Sequence, residues 1–361
     1  MTDPDKKELR FGWTTGACAT AATKAALTAL FGGEFPDPVI ITLPKGQKPA
    51  FALATEKKGA DYASVSIIKD AGDDPDVTHL ARIMVTVRKL KRGAGVVFRA
   101  GEGVGTVTRE GLPISVGEPA INPVPRQMMR DVVLEVASVA NQPADIEIEV
   151  AIENGIELAQ STMNGRLGIV GGLSVLGTTG IVVPYSCASW IASIHRGIDV
   201  ALAAKEQHLA ASTGSTSEKA IAKLYDLPEV ALLDMGDFAG GVLKYIRKHP
   251  VPRLTIAGGF AKITKLAQGN MDLHSGRSHV DFEWLSDQIA DLGAPMELVH
   301  KVRTANTAMQ VLEWARQSNL SLAENVAEKA KTIALEIGGG TTLIEVLIFD
   351  RKGQLVGRSN E

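Results

Sequence analysis

The chain has 361 residues, 45% hydrophobic and 22% charged, with a formal net charge of −3 and 36 glycines against a usual share of roughly 7%. That composition excludes intrinsic disorder, and at this length two domains are expected. Aromatics at 5% and a basic cluster no longer than Arg88, Lys89, Lys91 and Arg92 count against nucleic-acid binding.

The elements follow in chain order. Thr14 as a cap, then Gly16 and an alanine-dense stretch from Ala19 to Leu30, predict a tightly packed helix. Short β-branched runs at Val39–Leu43, Val65–Ile68, Met84–Val87 and Val96–Phe98 read as strands. Gly101 to Gly105 reads as a bulged hairpin. Met129, Val132, Val133, Val136 and Val139 repeat at helical spacing over 126–140. Ile146, Ile148, Val150 and Ile152 then alternate with acids, the pattern of a strand buried on one face.

A small polar stretch, Ala211 to Ser217, reads as the divide between the halves. It predicts domains at 1–212 (α+β) and 213–361 (Rossmann-like α/β). Ser215 with Glu218, and Ser321 with Glu324, have capping-box spacing. Strands are expected at Val230–Asp234, Leu254–Ala257 and Leu343–Phe349, with helices between them and a short return strand after the turn at Asp350–Gly353. The fold class is α/β.

Cys18 and Cys187 are too few for a disulfide framework, and no CxxC pair is present for zinc. The charged start lacks a signal-peptide core and no apolar run is long enough for a bilayer, so a cytoplasmic protein without a membrane partner is expected. Asp70, Asp73, Asp74 and Asp76 lack the glycine and closing glutamate of a calcium loop; an acidic active-site loop or a helix start fits better.

Asp234-Met235-Gly236-Asp237 after an apolar strand partly matches the nucleotide loop of S-adenosylmethionine-dependent methyltransferases, and an ordinary strand-to-helix turn explains it equally well. Glu118 to Arg126 holds three prolines and displays Glu118, Asn122 and Arg126, a stiff loop suited to function. His274 and His279 lie on no common helix face and predict no metal triad. Six glycines between 168 and 180 leave two explanations, strand packing or contact with a flat ligand.

Taken together the motifs resemble the CbiD family, cobalt-precorrin-5B C(1)-methyltransferases of anaerobic cobalamin biosynthesis. The resemblance is carried by Gly12 to Ala19, Lys69 to Thr78, the Gly101–Gly105 loop with Thr108 and Arg109, Glu118 to Arg126, and Arg166 to Gly180, in that order. The family pattern carries Gly at 80 and 261 and Thr at 273, where this chain has Leu80, Ala261 and Leu273.

The resemblance implies methyl transfer from S-adenosylmethionine to ring carbon 1 of a cobalt-bearing tetrapyrrole, the cobalt belonging to the substrate and no metal to the protein. It implies substrate contacts from Thr14, Thr15, Arg109, Asn122, Arg126, Asn164, Arg166 and His274, the arginines meeting carboxylate arms. Asp70, Asp73, Asp74 and Glu118 are candidates for proton handling, and Asp234, Gly236, Gly258 and Gly259 for holding the methyl donor. Positioning would supply much of the rate, ~7–11 kcal/mol. A nicotinamide-dependent precorrin reductase and a non-enzymatic tetrapyrrole carrier are the alternatives, and a homo-oligomer stays open.

Overall fold

The computed structural model describes residues 9–360. The chain divides into two compact units, Met1–Ser186 and Cys187–Glu361. The division lies ahead of the expected 212/213 boundary for a simple reason. Ala211 and Ser212 end the strand His208–Ser212, which is interior to the second unit's sheet, and the polar residues after it form a strand-to-helix turn.

In the first unit the alanine-rich helix Thr15–Leu30 is almost wholly buried, with Ala17, Ala21, Ala25 and Ala29 at 0% exposure. Side chains this small let the helix axis approach the sheet closely, and the helix Pro123–Ala140 packs beside it. The sheet runs Thr55–Lys58, Tyr62–Ile68, Arg82–Lys89, Ile146–Ile152, Val96–Ala100, so Val96–Ala100 is an edge strand. All neighbours are antiparallel except Ile146–Ile152 with Val96–Ala100. Ile146, Ile148, Val150 and Ile152 face the core at 0% exposure, as their alternation predicts.

Pro123 opens the second helix, where its missing N–H costs nothing. Met129, Val132, Val133 and Val136 bury, but Val139 is 87% exposed because it stands in the last turn before the left-handed cap Asn141. The run at 39–43 forms only a two-residue strand, Val39–Ile40, paired with Ala50–Phe51.

The Gly101–Gly105 segment is not a hairpin. Gly103–Val104 pairs in parallel with Gly172–Leu173, a partner about 70 residues on. A Cβ on Gly103 would strike the Ile152 carbonyl and Gly155, and one on Gly172 would strike Gly103. This crossing of three main chains accounts for part of the glycine excess.

In the second unit the sheet order is Leu232–Asp234, His208–Ser212, Arg253–Gly259, Leu343–Phe349, Leu355–Arg358. The first four strands are parallel and the last returns antiparallel. Counted in chain order this is 2-1-3-4-5, a doubly wound arrangement. The helix Ser215–Tyr225 starts behind Gly214, not at a Ser215 capping box, and Ser321 caps without a side-chain hydrogen bond. Residues 229–231 form a 3-10 turn, which shortens the expected strand at 230–234 to three residues. Among the described residues no helix is long and apolar enough to cross a membrane.

Candidate functional site

In the first unit, motifs far apart in sequence meet at the start of the alanine helix. The Thr14 hydroxyl accepts the Ala17 N–H (3.2 Å), and the Thr14 N–H donates to the Gly180 carbonyl (3.0 Å). Gly16 N–H donates to the Leu176 carbonyl (2.8 Å), and Trp13 N–H to the Asp70 carbonyl (2.7 Å). Asn122 N–H donates to the Val175 carbonyl (3.0 Å). Thr14, Gly16 and Asn122 are therefore tied to the glycine-rich 175–180 segment through main chain, while Asp70 and Asp73 are tied to the chain start at Trp13 and Arg10. Thr15 itself is buried.

The acidic loop is a loop and not a helix start. Asp70 pairs with the Arg10 guanidinium and accepts the Gly72 N–H (2.9 Å), and the Arg10 bond holds its carboxyl below the usual range. Asp73 accepts the Arg10 N–H (2.8 Å), and Asp74 accepts the Tyr185 N–H (2.8 Å). Lys69, 2% exposed, reaches into the loop to Asp76 and Thr78. Burial alone would raise the Asp76 carboxyl, but the Lys69 ammonium and the bonds from Lys69 and Thr78 outweigh it and hold the group low. Three of the four proposed proton-handling carboxylates are thus engaged in shaping the loop.

Glu118 is different: it lines an open cleft of about 500 Å³ together with Arg126 and the edge strand Val96–Ala100. Arg126 is committed inward. Its Nε donates to the Ile121 carbonyl (2.8 Å), Nη2 to Pro119 (2.9 Å) and Nη1 to Glu118 (3.0 Å). Arg109 is exposed, its stem lying across Gly168, where a Cβ would collide with it. Asn164 is buried and spans Gly172 and Ser174 (3.3 and 3.1 Å), while Arg166 is half-buried nearby in sequence.

In the second unit the proposed donor residues converge at the carboxyl ends of the parallel strands. Ser212 stands in register with Asp234 on one side and Ala257 on the other. Met235 and Gly236 N–H groups both donate to the Ser212 carbonyl (3.0 and 3.1 Å). Gly236 has φ +57°, and a Cβ there would meet the Trp190 ring at 3.5 Å. Gly258 packs on Thr213, whereas nothing lies within 4 Å of a Cβ on Gly259, which caps the helix Phe260–Ala267.

The Ser212 hydroxyl is buried without a hydrogen-bond partner among the described residues. Lys262 bonds the Thr213 carbonyl (2.8 Å) and pairs with Asp237 (3.0 Å). This is the crevice where doubly wound sheets take ligands, at a point where the chain moves from one side of a strand to the other. His274 lies in a loop of this second unit, away in sequence from the other proposed substrate contacts. Its Nδ1 accepts the Gly276 N–H (3.0 Å), a local turn bond.

The family model for CbiD matches residues 2–184, and that for the CbiD C-terminal domain matches residues 272–360. The chain belongs to the CbiD family. A protein of Brucella canis named cobalt-precorrin-5B C(1)-methyltransferase is 58% identical over 360 residues, covering 99% of this chain and 97% of that one. A protein of the same name from Brucella anthropi is 59% identical over 355 residues, covering 98% and 96%. The crystal structure of a cobalamin biosynthesis protein (cbiD) from Archaeoglobus fulgidus aligns over 70% of this chain and 77% of that one, at 24% identity and a TM-score of 0.39.

Within this CbiD chain, sequence reasoning passed over Ser212, Trp190 and Lys262 beside the crevice at the strand ends. The Trp190 indole donates to the Asp234 carbonyl (3.2 Å) from a helix more than 40 residues upstream, a pairing no local motif announces. Among the described residues no group of three or more His, Cys, Asp or Glu is placed to hold a metal ion.

Proposed function

We infer that this chain is an S-adenosylmethionine-dependent methyltransferase that methylates ring carbon 1 of cobalt-precorrin-5B. The observation that carries the reading is 58% identity along nearly the whole length to relatives bearing that name. The donor crevice fits the reading: an unpartnered buried hydroxyl at Ser212, open space over Gly259, and the amides that begin the Phe260–Ala267 helix. Bound S-adenosylmethionine supplies an electrophilic methyl on a sulfonium.

The protein's own groups divide into three tasks. Gly236, Gly258, Gly259 and the Asp234 strand end hold the donor. Arg109 and Arg166 meet carboxylate arms of the tetrapyrrole, with Thr14, Thr15, Asn122 and Asn164 shaping the surface beneath. Arg126 is a positioning residue, since its fork is spent on Glu118, Pro119 and Ile121. Of the carboxylates, Glu118 is best placed to balance a proton on the macrocycle because it faces open space, while Asp70, Asp73 and Asp74 hold the loop. Two free thiols, Cys18 buried and Cys187 exposed, suit the reducing cytoplasm as the place of reaction.

The test is turnover of S-adenosylmethionine with the tetrapyrrole, read as S-adenosylhomocysteine release and a substrate mass gain of one methylene unit. Calorimetry with S-adenosylhomocysteine and with a nicotinamide dinucleotide separates the alternatives. Binding of the nicotinamide instead would restore the reductase, and binding of neither, with retained tetrapyrrole affinity, the carrier.

A further inference from the structure

The edge strand Val96–Ala100 borders a cleft of about 500 Å³, and its other side is closed by Thr106 and Gly117–Pro119. Gly101 N–H donates to the Val150 carbonyl (2.8 Å) and Ile146 N–H to Gly95 (3.0 Å). Odd-numbered main-chain groups of this strand therefore point into the sheet, and those of Val96, Phe98 and Ala100 point to the open edge. Three guanidinium groups, Arg99, Arg126 and Arg130, line the same cleft.

Their charges are not equally answered. Arg99 pairs with Glu147 (3.3 Å), and Arg126 with Glu118 (3.0 Å). Arg130 lies one helical turn beyond Arg126, and both stack on the single ring of Phe98, with Cζ at 5.2 Å for Arg126 and 5.0 Å for Arg130. Among the described residues Arg130 has no ion pair. Two like charges gathered on one ring, with one counter-ion between them, make a ready seat for an anion. The guanidinium fork and the outward N–H groups of the edge strand suit a planar carboxylate.

We propose that this cleft seats a carboxylate side arm of the tetrapyrrole, with Arg130 as the contacting guanidinium and Arg99 at its rim. The proposal rests on the methyltransferase reading for the identity of the carboxylate. An arm held here fixes how the macrocycle is oriented beside Glu118. Neither the family motifs nor the sequence spacing points to Arg99, Phe98 or Arg130.

The experiment uses the full chain and two probes, a cobalt corrin with free acetate and propionate arms and the methyl ester of the same corrin, with binding followed by corrin absorbance in equilibrium dialysis. The wild type is expected to bind the acid more tightly than the ester. Arg130→Ala loses about tenfold or more in acid affinity, with ester affinity and S-adenosylhomocysteine affinity unchanged. Arg130→Lys recovers part of the loss, and Arg99→Ala, at an exposed position, shows a smaller loss of the same kind.

Unaltered acid affinity in Arg130→Ala overturns the proposal, as does an equal loss for acid and ester, a loss of S-adenosylhomocysteine binding, or a wild type that binds neither corrin. Acid-over-ester preference that depends on Arg130 in an enzyme releasing no S-adenosylhomocysteine from S-adenosylmethionine and tetrapyrrole would keep the carboxylate seat and discard the methyltransferase reading.

Discussion

The main chain of Gly12 lies against that of Ala71 so closely that a Cβ on Gly12 would overlap the Ala71 carbonyl carbon. The obstacle is backbone on both sides, so no side chain can swing away. Gly12→Ala is expected to reach or exceed the upper end of the ~1–3 kcal/mol cost of overpacking. A denaturant titration checks it: the midpoint should fall with an unchanged slope. An unchanged midpoint would mean the two strands of chain do not cross as described.

The Lys69–Asp76 pair ties the acidic loop to the core, with the lysine side chain 3% and the carboxylate 23% exposed. Removing the anion strands a buried ammonium, whereas removing the lysine leaves a carboxylate that reaches water. Asp76→Asn should cost about 3–5 kcal/mol and Lys69→Met distinctly less. The sign with pH follows from the lowered Asp76 value in the fold: the pair's contribution is complete above the ordinary Asp pKa of about 3.9 and is lost as pH falls through the depressed folded value. Stability measured from pH 7 downward should therefore drop less in Asp76→Asn than in the wild type.

Leu80 sits at φ +61° and is 65% exposed. A left-handed conformation costs a β-carbon-bearing residue roughly 1–2 kcal/mol, and no buried packing is gained in return. Leu80→Gly should be neutral or stabilising by up to ~1 kcal/mol, after the entropy of the added glycine is counted. A melting temperature clearly below wild type would contradict this.

The elements legible in the sequence were those whose signal is local. Alternation at 146–152 and helical spacing at 129–136 depend on one element meeting one core, and both formed as expected. The Gly101–Gly105 segment misled because its partner, Gly172–Leu173, is remote and its glycines answer to a crossing chain rather than to a turn. The domain boundary misled because the small residues that make a good linker also make the tight carboxyl end of a central strand at Ala211–Ser212. At the carboxyl ends of the second unit's strands, the strand-to-helix turn at Asp234 and Gly236 was legible locally, but Ser212 and Trp190 reach it only through the sheet order and a helix upstream.

Open space over Gly259 gives a way to separate donor binding from folding. A Cβ there meets nothing within 4 Å and the position is exposed, so Gly259→Val should leave thermal stability within about 1 kcal/mol of wild type. The same side chain would occupy the volume assigned to the methyl donor. Affinity for S-adenosylhomocysteine is expected to fall by about tenfold or more in calorimetry, a loss of at least ~1.4 kcal/mol. Full affinity would move the donor site elsewhere.

Arg126 distinguishes a substrate clamp from an internal brace. A clamp needs positive charge directed outward, and lysine supplies it. The brace needs the planar fork, because the two carbonyls at Pro119 and Ile121 and the Glu118 carboxylate are reached by three different nitrogens. Arg126→Lys keeps the charge, yet leaves carbonyls in a proline-stiffened loop short of donors, at ~2 kcal/mol. The free enzyme, without substrate, should therefore melt at lower temperature in Arg126→Lys nearly as much as in Arg126→Ala. Wild-type stability in Arg126→Lys would return the guanidinium to the substrate.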